Sequence, residues 1–128
     1  MNVKSEVKTF FYNLPELLNN SHLLISRSGA STVAEVAATK TPAIFIPFQH
    51  SVDDDQRLNT IELEKIGQVI VKNEKKLDSN QLYKVIDELI EKPEILENMA
   101  KANKEIVVNN SSEKIRSIID DLLSNREL

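Results

Sequence analysis

Apolar residues fall in two alternating patterns along the chain: short continuous runs, and longer stretches in which they return every three or four positions. Val7 to Phe11 is a short β-prone run, closed by Asn13, which is placed to cap a helix starting at Leu14-Pro15-Glu16. Glu16 stands at capping-box spacing from Asn13. His22 to Ser26 reads as a buried strand, and Ala30 to Thr39 as an alanine-rich helix able to lie close to a sheet. Pro42 to Pro47 is an apolar run bracketed by prolines, the pattern of a parallel strand covered on both faces. A polar loop, Phe48 to Asp55, leads into a helix over Gln56 to Ile66, with Gly67 at its C′ position and a strand over Gln68 to Val71. Leu82, Val85, Ile86, Leu89 and Ile90 repeat at helical spacing until Lys92-Pro93. Pro93 starts another helix running through Met99 toward Val108, and Ile115, Ile118, Ile119, Leu122 and Leu123 form a last amphipathic stripe. The order β-α-β-α-β-α-β followed by helices predicts the α/β class, a Rossmann-like parallel sheet flanked by helices and joined by right-handed crossovers.

A chain of 128 residues buries one core of ordinary size, so a single domain over 1–128 is expected. With 41% hydrophobic and 28% charged residues the composition is globular. No apolar run approaches the ~20 residues of a membrane span, and residues 1–20 lack a secretory pattern, so a cytoplasmic location is expected. The absence of cysteine removes disulfides, thiolate metal sites and a cysteine nucleophile, and two histidines are too few for a histidine-only metal site. A net charge of −4 with no basic cluster beyond Lys72 to Lys76 argues against nucleic acid. An anionic ligand would have to be held by backbone and helix dipole.

In open α/β sheets ligands sit beyond the carboxyl ends of the strands. Three loops are candidates: Phe11 to Asn13, Ser26 to Ser31 and Phe48 to Gln56. In the second, Ser28 and Gly29 lead into a helix start whose N–H groups near Ala30, Ser31 and Thr32 can hold a diphosphate, aided by the dipole. The competing reading is that Thr32 and Glu35 form a capping box that satisfies those amides internally. Glu35 is also able to accept bonds from both hydroxyls of a ribose. Asp53-Asp54-Asp55 offers a D-x-D pattern for a divalent metal, but aspartates just before a helix are more simply cap and dipole partners. Gln56 and Asn59 lie i, i+3 on one side of the next helix, where amides suit sugar hydroxyls; two solvated polar residues are the plainer alternative. His50 is open between a base, a diphosphate contact and a loop histidine. A hydrolase triad has no support, and with only Gly29 and Gly67 present both G-x-G-x-x-G and the P-loop are absent.

The combination R-S-G-A-x-T-V-x-E, P-A-I-F-I-P-F-x-H and D-D-x-Q-x-x-N, within "LLISRSGASTVAEVAATKTPAIFIPFQHSVDDDQRLNTIELEKIGQVIV", closely resembles the C-terminal domain of the MurG family. These are bacterial transferases that add N-acetylglucosamine from its UDP donor to the lipid-linked peptidoglycan precursor. The resemblance covers nearly all of the chain. It implies the C-terminal half of a GT-B glycosyltransferase, with Ala30, Ser31 and Thr32 at the diphosphate, Glu35 on the ribose and Phe11 against the uracil. Gln56, with Asp55 beside it, would address the N-acetylglucosamine hydroxyls. It also implies no catalytic metal, since helix amides offset the charge on the leaving diphosphate.

Three departures from the family pattern carry expectations. Lys40 stands where the family usually has glycine, which implies a strained left-handed residue or a different turn. Asp55 stands where histidine or glutamine is common. A full family member also has an N-terminal acceptor half, carrying a glycine-rich loop and the histidine proposed as general base, and one further strand-loop-helix. The expectation is therefore a donor-side half-site, with no catalytic residue of its own, that needs an acceptor-binding half on another chain. A noncatalytic nucleotide-sugar-binding subunit recruited by a membrane-anchored partner, and a decayed gene fragment, are the rival readings.

Overall fold

A computed structural model describes residues 3–50, 54–103 and 106–124, with residues 106–114 described as backbone only. Three short strands, β1 (Leu24–Ser26), β2 (Ala43–Phe45) and β3 (Val69–Val71), form a parallel sheet in that order. Leu24, Ile25 and Ser26 stand opposite Ala43, Ile44 and Phe45, which in turn stand opposite Val69, Ile70 and Val71. Helix α1 (Leu14–Asn19) precedes β1, α2 (Ala30–Thr39) joins β1 to β2, and α3 (Asp55–Leu58) and α4 (Ile61–Lys65) join β2 to β3. After a 3-10 turn at Glu74–Lys76 come α5 (Ser79–Glu91), α6 (Pro93–Ala102) and α7 (Ile106–Ser124).

The side-chain period of two along β2 divides the core. Ala43 and Phe45 point toward Val33, Val36 and Ala37 of α2 and Leu63 of α4, while Ile44 points the other way onto Leu89 and Met99 of α5 and α6. All three β2 residues are fully buried, as a strand covered on both faces requires. The small residues Ala37 and Ala43 let α2 approach the sheet closely. A buried polar network locks this layer: Gln68 Nε2 donates to the carbonyls of Val36 (2.9 Å) and Thr41 (3.2 Å), and Gln68 Oε1 accepts from Asn103 Nδ2 (2.8 Å). Asn103 Nδ2 also donates to the Ala37 carbonyl at 2.9 Å. The network joins the ends of α2 and α6 to the start of β3.

Several expectations change in detail. Val7–Phe11 is not a strand: Val7 is 92% and Phe10 64% exposed, and a β-prone run becomes a strand only where a neighbour takes its hydrogen bonds. Asn13 caps α1 with no side-chain bond, so the Asn13–Glu16 capping box does not form. The helix expected over Gln56–Ile66 is two helices, because the Thr60 hydroxyl takes the Arg57 carbonyl at 2.7 Å and tightens the turn between them. Gly67, at φ +85, ends α4 as expected: its N–H bonds Glu64 O and the Gln68 N–H bonds Leu63 O, the paired bonds of a Schellman motif. The helix begun at Pro93 ends at Ala102, short of Val108. Asp78, not foreseen, caps α5 in a full capping box with Gln81. No helix among the described residues is long and apolar enough to cross a membrane.

Candidate functional site

Helix α2 opens directly from the carboxyl end of β1 after three residues, Arg27, Ser28 and Gly29. Its N-cap is Gly29, at φ −60 and ψ 149, and no side chain caps the helix. Thr32 is thus the third residue of the helix and Glu35 the sixth, and the Thr32–Glu35 capping box is not formed. The amides of Ala30, Ser31 and Thr32 remain directed beyond the strand end, with the positive end of the ten-residue helix dipole behind them. Glu35 lies four residues after Ser31 and three after Thr32, hence on the same face and about 4.5–6 Å further along the axis. Its Oε2 is buried and has no hydrogen-bond partner. A buried carboxylate oxygen left without a donor is a costly arrangement in the free protein, and O–H donors of a ligand would repair it.

The loops around α2 are fastened to one another by the predicted site residues. Ser28 is fully buried and its hydroxyl donates to the Gln56 carbonyl at 2.7 Å. Asn59 Nδ2 donates to the Ser28 carbonyl at 3.1 Å, and the Phe48 N–H donates to Gln56 Oε1 at 2.8 Å. Asn59 thus turns its amide toward the loop before α2 and Gln56 turns its own toward the loop after β2, each spending one end of the amide on the fold. Asp55 is exposed in the first turn of α3. Asp54 is left-handed at φ 59 and lies 3.8 Å from Arg57, while Asp53, the first member of the D-x-D pattern, falls outside the described residues. Among the described residues no three His, Asp or Glu side chains gather as a metal site would need. Phe11 is half-buried, and its ring faces Lys8 Nζ, 5.5 Å from the centroid, within its own segment. Lys40 takes the left-handed conformation at φ 57 that the turn after α2 demands.

A second cluster at the strand ends escaped the sequence reading. Arg27 Nη2 donates to Glu74 Oε1 at 2.6 Å, Nη1 donates to the Ile46 carbonyl at 3.2 Å, and the guanidinium lies 5.6 Å from the Phe48 ring centroid. His50 packs its ring edge-on to Phe48, with centroids 5.6 Å apart. Gln49 Nε2 donates to Asn73 Oδ1 at 2.7 Å. The Arg27 hydrogen bond holds the Glu74 carboxyl below its ordinary value of 4.5, against some opposing desolvation. Beside this cluster, beyond β2 and β3, Phe48, Asp54, Arg57, Lys72 and Asn73 help to line a cleft of about 560 Å³. The available signal was the strand order: a sequential parallel sheet sets the residues just after β3 beside the loop after β2.

What this rim can do chemically is accept an anion on uncapped amides and present one carboxylate and two amides to hydroxyl groups. Comparisons with known proteins give the chain its family. A transferase of Chelativorans sp. (strain BNC1), the UDP-N-acetylglucosamine--N-acetylmuramyl-(pentapeptide) pyrophosphoryl-undecaprenol N-acetylglucosamine transferase, is 34% identical over 124 residues, covering 97% of this chain and 33% of the relative. The transferase of that name from Caulobacter vibrioides is 36% identical over 118 residues, covering 92% of this chain and 33% of the relative. The crystal structure of Acinetobacter baumannii MurG superposes with a TM-score of 0.69 at 28% identity, over 77% of this chain and 28% of that one. This chain thus spans about one third of the length of these relatives. Residues 1–122 match the glycosyltransferase family 28 C-terminal domain, and the chain belongs to that family.

Proposed function

We propose that this chain is the donor-binding part of a MurG-like hexosyltransferase, holding UDP-N-acetylglucosamine for transfer to a lipid-linked N-acetylmuramyl-pentapeptide. The observation that carries the reading is the buried, unpartnered Glu35 Oε2 on the same face as the uncapped Ser31 and Thr32 amides. A nucleoside diphosphate offers the matching set, with a pyrophosphate for the amides and two ribose hydroxyls for the carboxylate. Gln56 and Asn59, braced against the loops after β2 and β1, suit the hydroxyls of the sugar. No metal is required, because amides and dipole neutralise the diphosphate.

Transfer itself needs an acceptor site and a general base, and the reading assigns both to an acceptor-binding half outside these 128 residues. Two surfaces favour such a partner: Ile25 on the edge strand β1 is 43% exposed, and α7 exposes Ile115, Ile118, Ile119, Leu122 and Leu123 along one stripe. The test is titration of the chain with UDP and UDP-N-acetylglucosamine, with and without a chelator, followed at the backbone amides of Ala30, Ser31 and Thr32. Weak binding that shifts these amides and survives the chelator is expected. Binding that strictly requires a divalent ion, or that leaves these amides unmoved, sinks the assignment.

A further inference from the structure

We propose that Glu74 is a positioning residue for this site: from the turn after β3, its carboxylate fixes Arg27 and thereby Phe48, whose N–H holds the Gln56 amide. The inference rests on the donor-site reading and adds to it a residue that lies outside every motif of the sequence. The links are continuous. Glu74 Oε1 takes Arg27 Nη2 at 2.6 Å, and the same guanidinium donates to the Ile46 carbonyl and lies against the Phe48 ring. The Phe48 N–H then bonds Gln56 Oε1, and the Gln56 carbonyl bonds the buried Ser28 hydroxyl. A parallel tie runs from Gln49 Nε2 to Asn73 Oδ1, which also accepts the Lys75 N–H at 3.0 Å and so holds the turn that carries Glu74. The Gln49 backbone N–H likewise favours the charged form of Glu74.

As a global stabiliser the pair has little to offer, since the side chains of Arg27 and Glu74 are 47% and 38% exposed and such ion pairs are weak. Its value is geometric. A planar guanidinium used on three sides, by a carboxylate, a carbonyl and a ring, has one orientation, and that orientation sets where the loop starts. A lysine in place of Arg27 would supply the charge without the plane.

Amide hydrogen exchange on the whole 128-residue chain tests this directly. Glu74→Gln should speed exchange of the Phe48 amide about two- to five-fold, the effect of losing one exposed ion pair, while the Lys72 amide, bonded to the Phe45 carbonyl in the sheet, stays as it was. Arg27→Gln, which also removes the Ile46 and Phe48 contacts, should act at least as strongly, and adding Glu74→Gln to it should change nothing further, because the proposed effect of the carboxylate runs through that guanidinium. An unmoved Phe48 amide overturns the proposal, as does a parallel rise at Lys72 or full additivity. In a second arm, Glu74→Gln should weaken UDP-N-acetylglucosamine about two- to five-fold and leave UDP unchanged; equal weakening of both ligands overturns it. Failure of the unmodified chain to bind either ligand counts against the donor reading alone, and the exchange arm still decides whether Glu74 positions Phe48.

Discussion

Glu35→Ala should make the free protein more stable and the nucleotide complex weaker. The reason lies in one atom: Glu35 Oε2 is buried with no donor, so the free protein bears a desolvation cost that no internal hydrogen bond repairs. Leaving such a group unsatisfied costs about 1–3 kcal/mol. Removing it at a half-buried helical position, where alanine is the best helix former, forfeits only part of that in lost packing, and a net gain of about 1 kcal/mol is expected. In a domain of this size that raises Tm by roughly 3–5 °C in calorimetry. In the complex the balance reverses. Hydrogen bonds to a charged group contribute about 1.5–3 kcal/mol, and Oε2 is already buried away from water, so losing the ribose bonds should raise Kd by about 10- to 100-fold. Glu35→Gln, which keeps the shape and loses the charge, should fall between. Calorimetric melting of the free variants and titration with UDP followed at the Ala30–Thr32 amides give both numbers. A fall in Tm with no change in Kd would show that Glu35 serves the fold, and the ribose assignment would be wrong.

Lys40→Gly should stabilise the chain by about 0.5–1 kcal/mol, because relief of left-handed strain at φ 57 outweighs the added freedom of the unfolded chain; urea denaturation measures it. Gln68→Met keeps the volume but strips the Val36 and Thr41 carbonyls of a shared donor and Asn103 of its acceptor, and should cost about 2–4 kcal/mol in the same assay. Glu74 supplies a pH dependence with a definite sign. Its folded pKa is lowered, so its contribution is present above the ordinary value of 4.5 and is lost as pH falls through the lower folded value. The Gln49 amide shift should therefore titrate below pH 4.5 in the unmodified chain and lose that step in Glu74→Gln, whereas a midpoint above 4.5 would refute the pairing.

How much of this was legible in the sequence follows from which forces are local. Pro42–Pro47 announced a strand buried on both faces because its period leaves no polar side, and β2 has that environment. Gly67 marked its helix end through its own φ. The α2 boundaries were readable for the same reason, but the state of its first amides was not: T-x-x-E at capping-box spacing loses to Gly29 because the chain leaving β1 enters the helix three residues earlier. Val7–Phe11 has strand composition and no strand, since pairing is a property of two segments and composition describes one. Arg27, Asn73 and Glu74 were invisible as a group because 47 residues separate the pair that matters. Residues that the sequence marked as candidates also acquire a second meaning. Ser28, Gln56 and Asn59 were singled out as ligand contacts, and the fold uses them first as braces between loops, so a substitution at any of them moves two walls of the site at once. Glu35 differs in kind, because its buried Oε2 braces nothing. A residue that leaves a buried acceptor unmet in the free protein is best explained by the molecule that meets it, and this makes Glu35, rather than the more numerous hydroxyls and amides around it, the residue on which the donor reading stands.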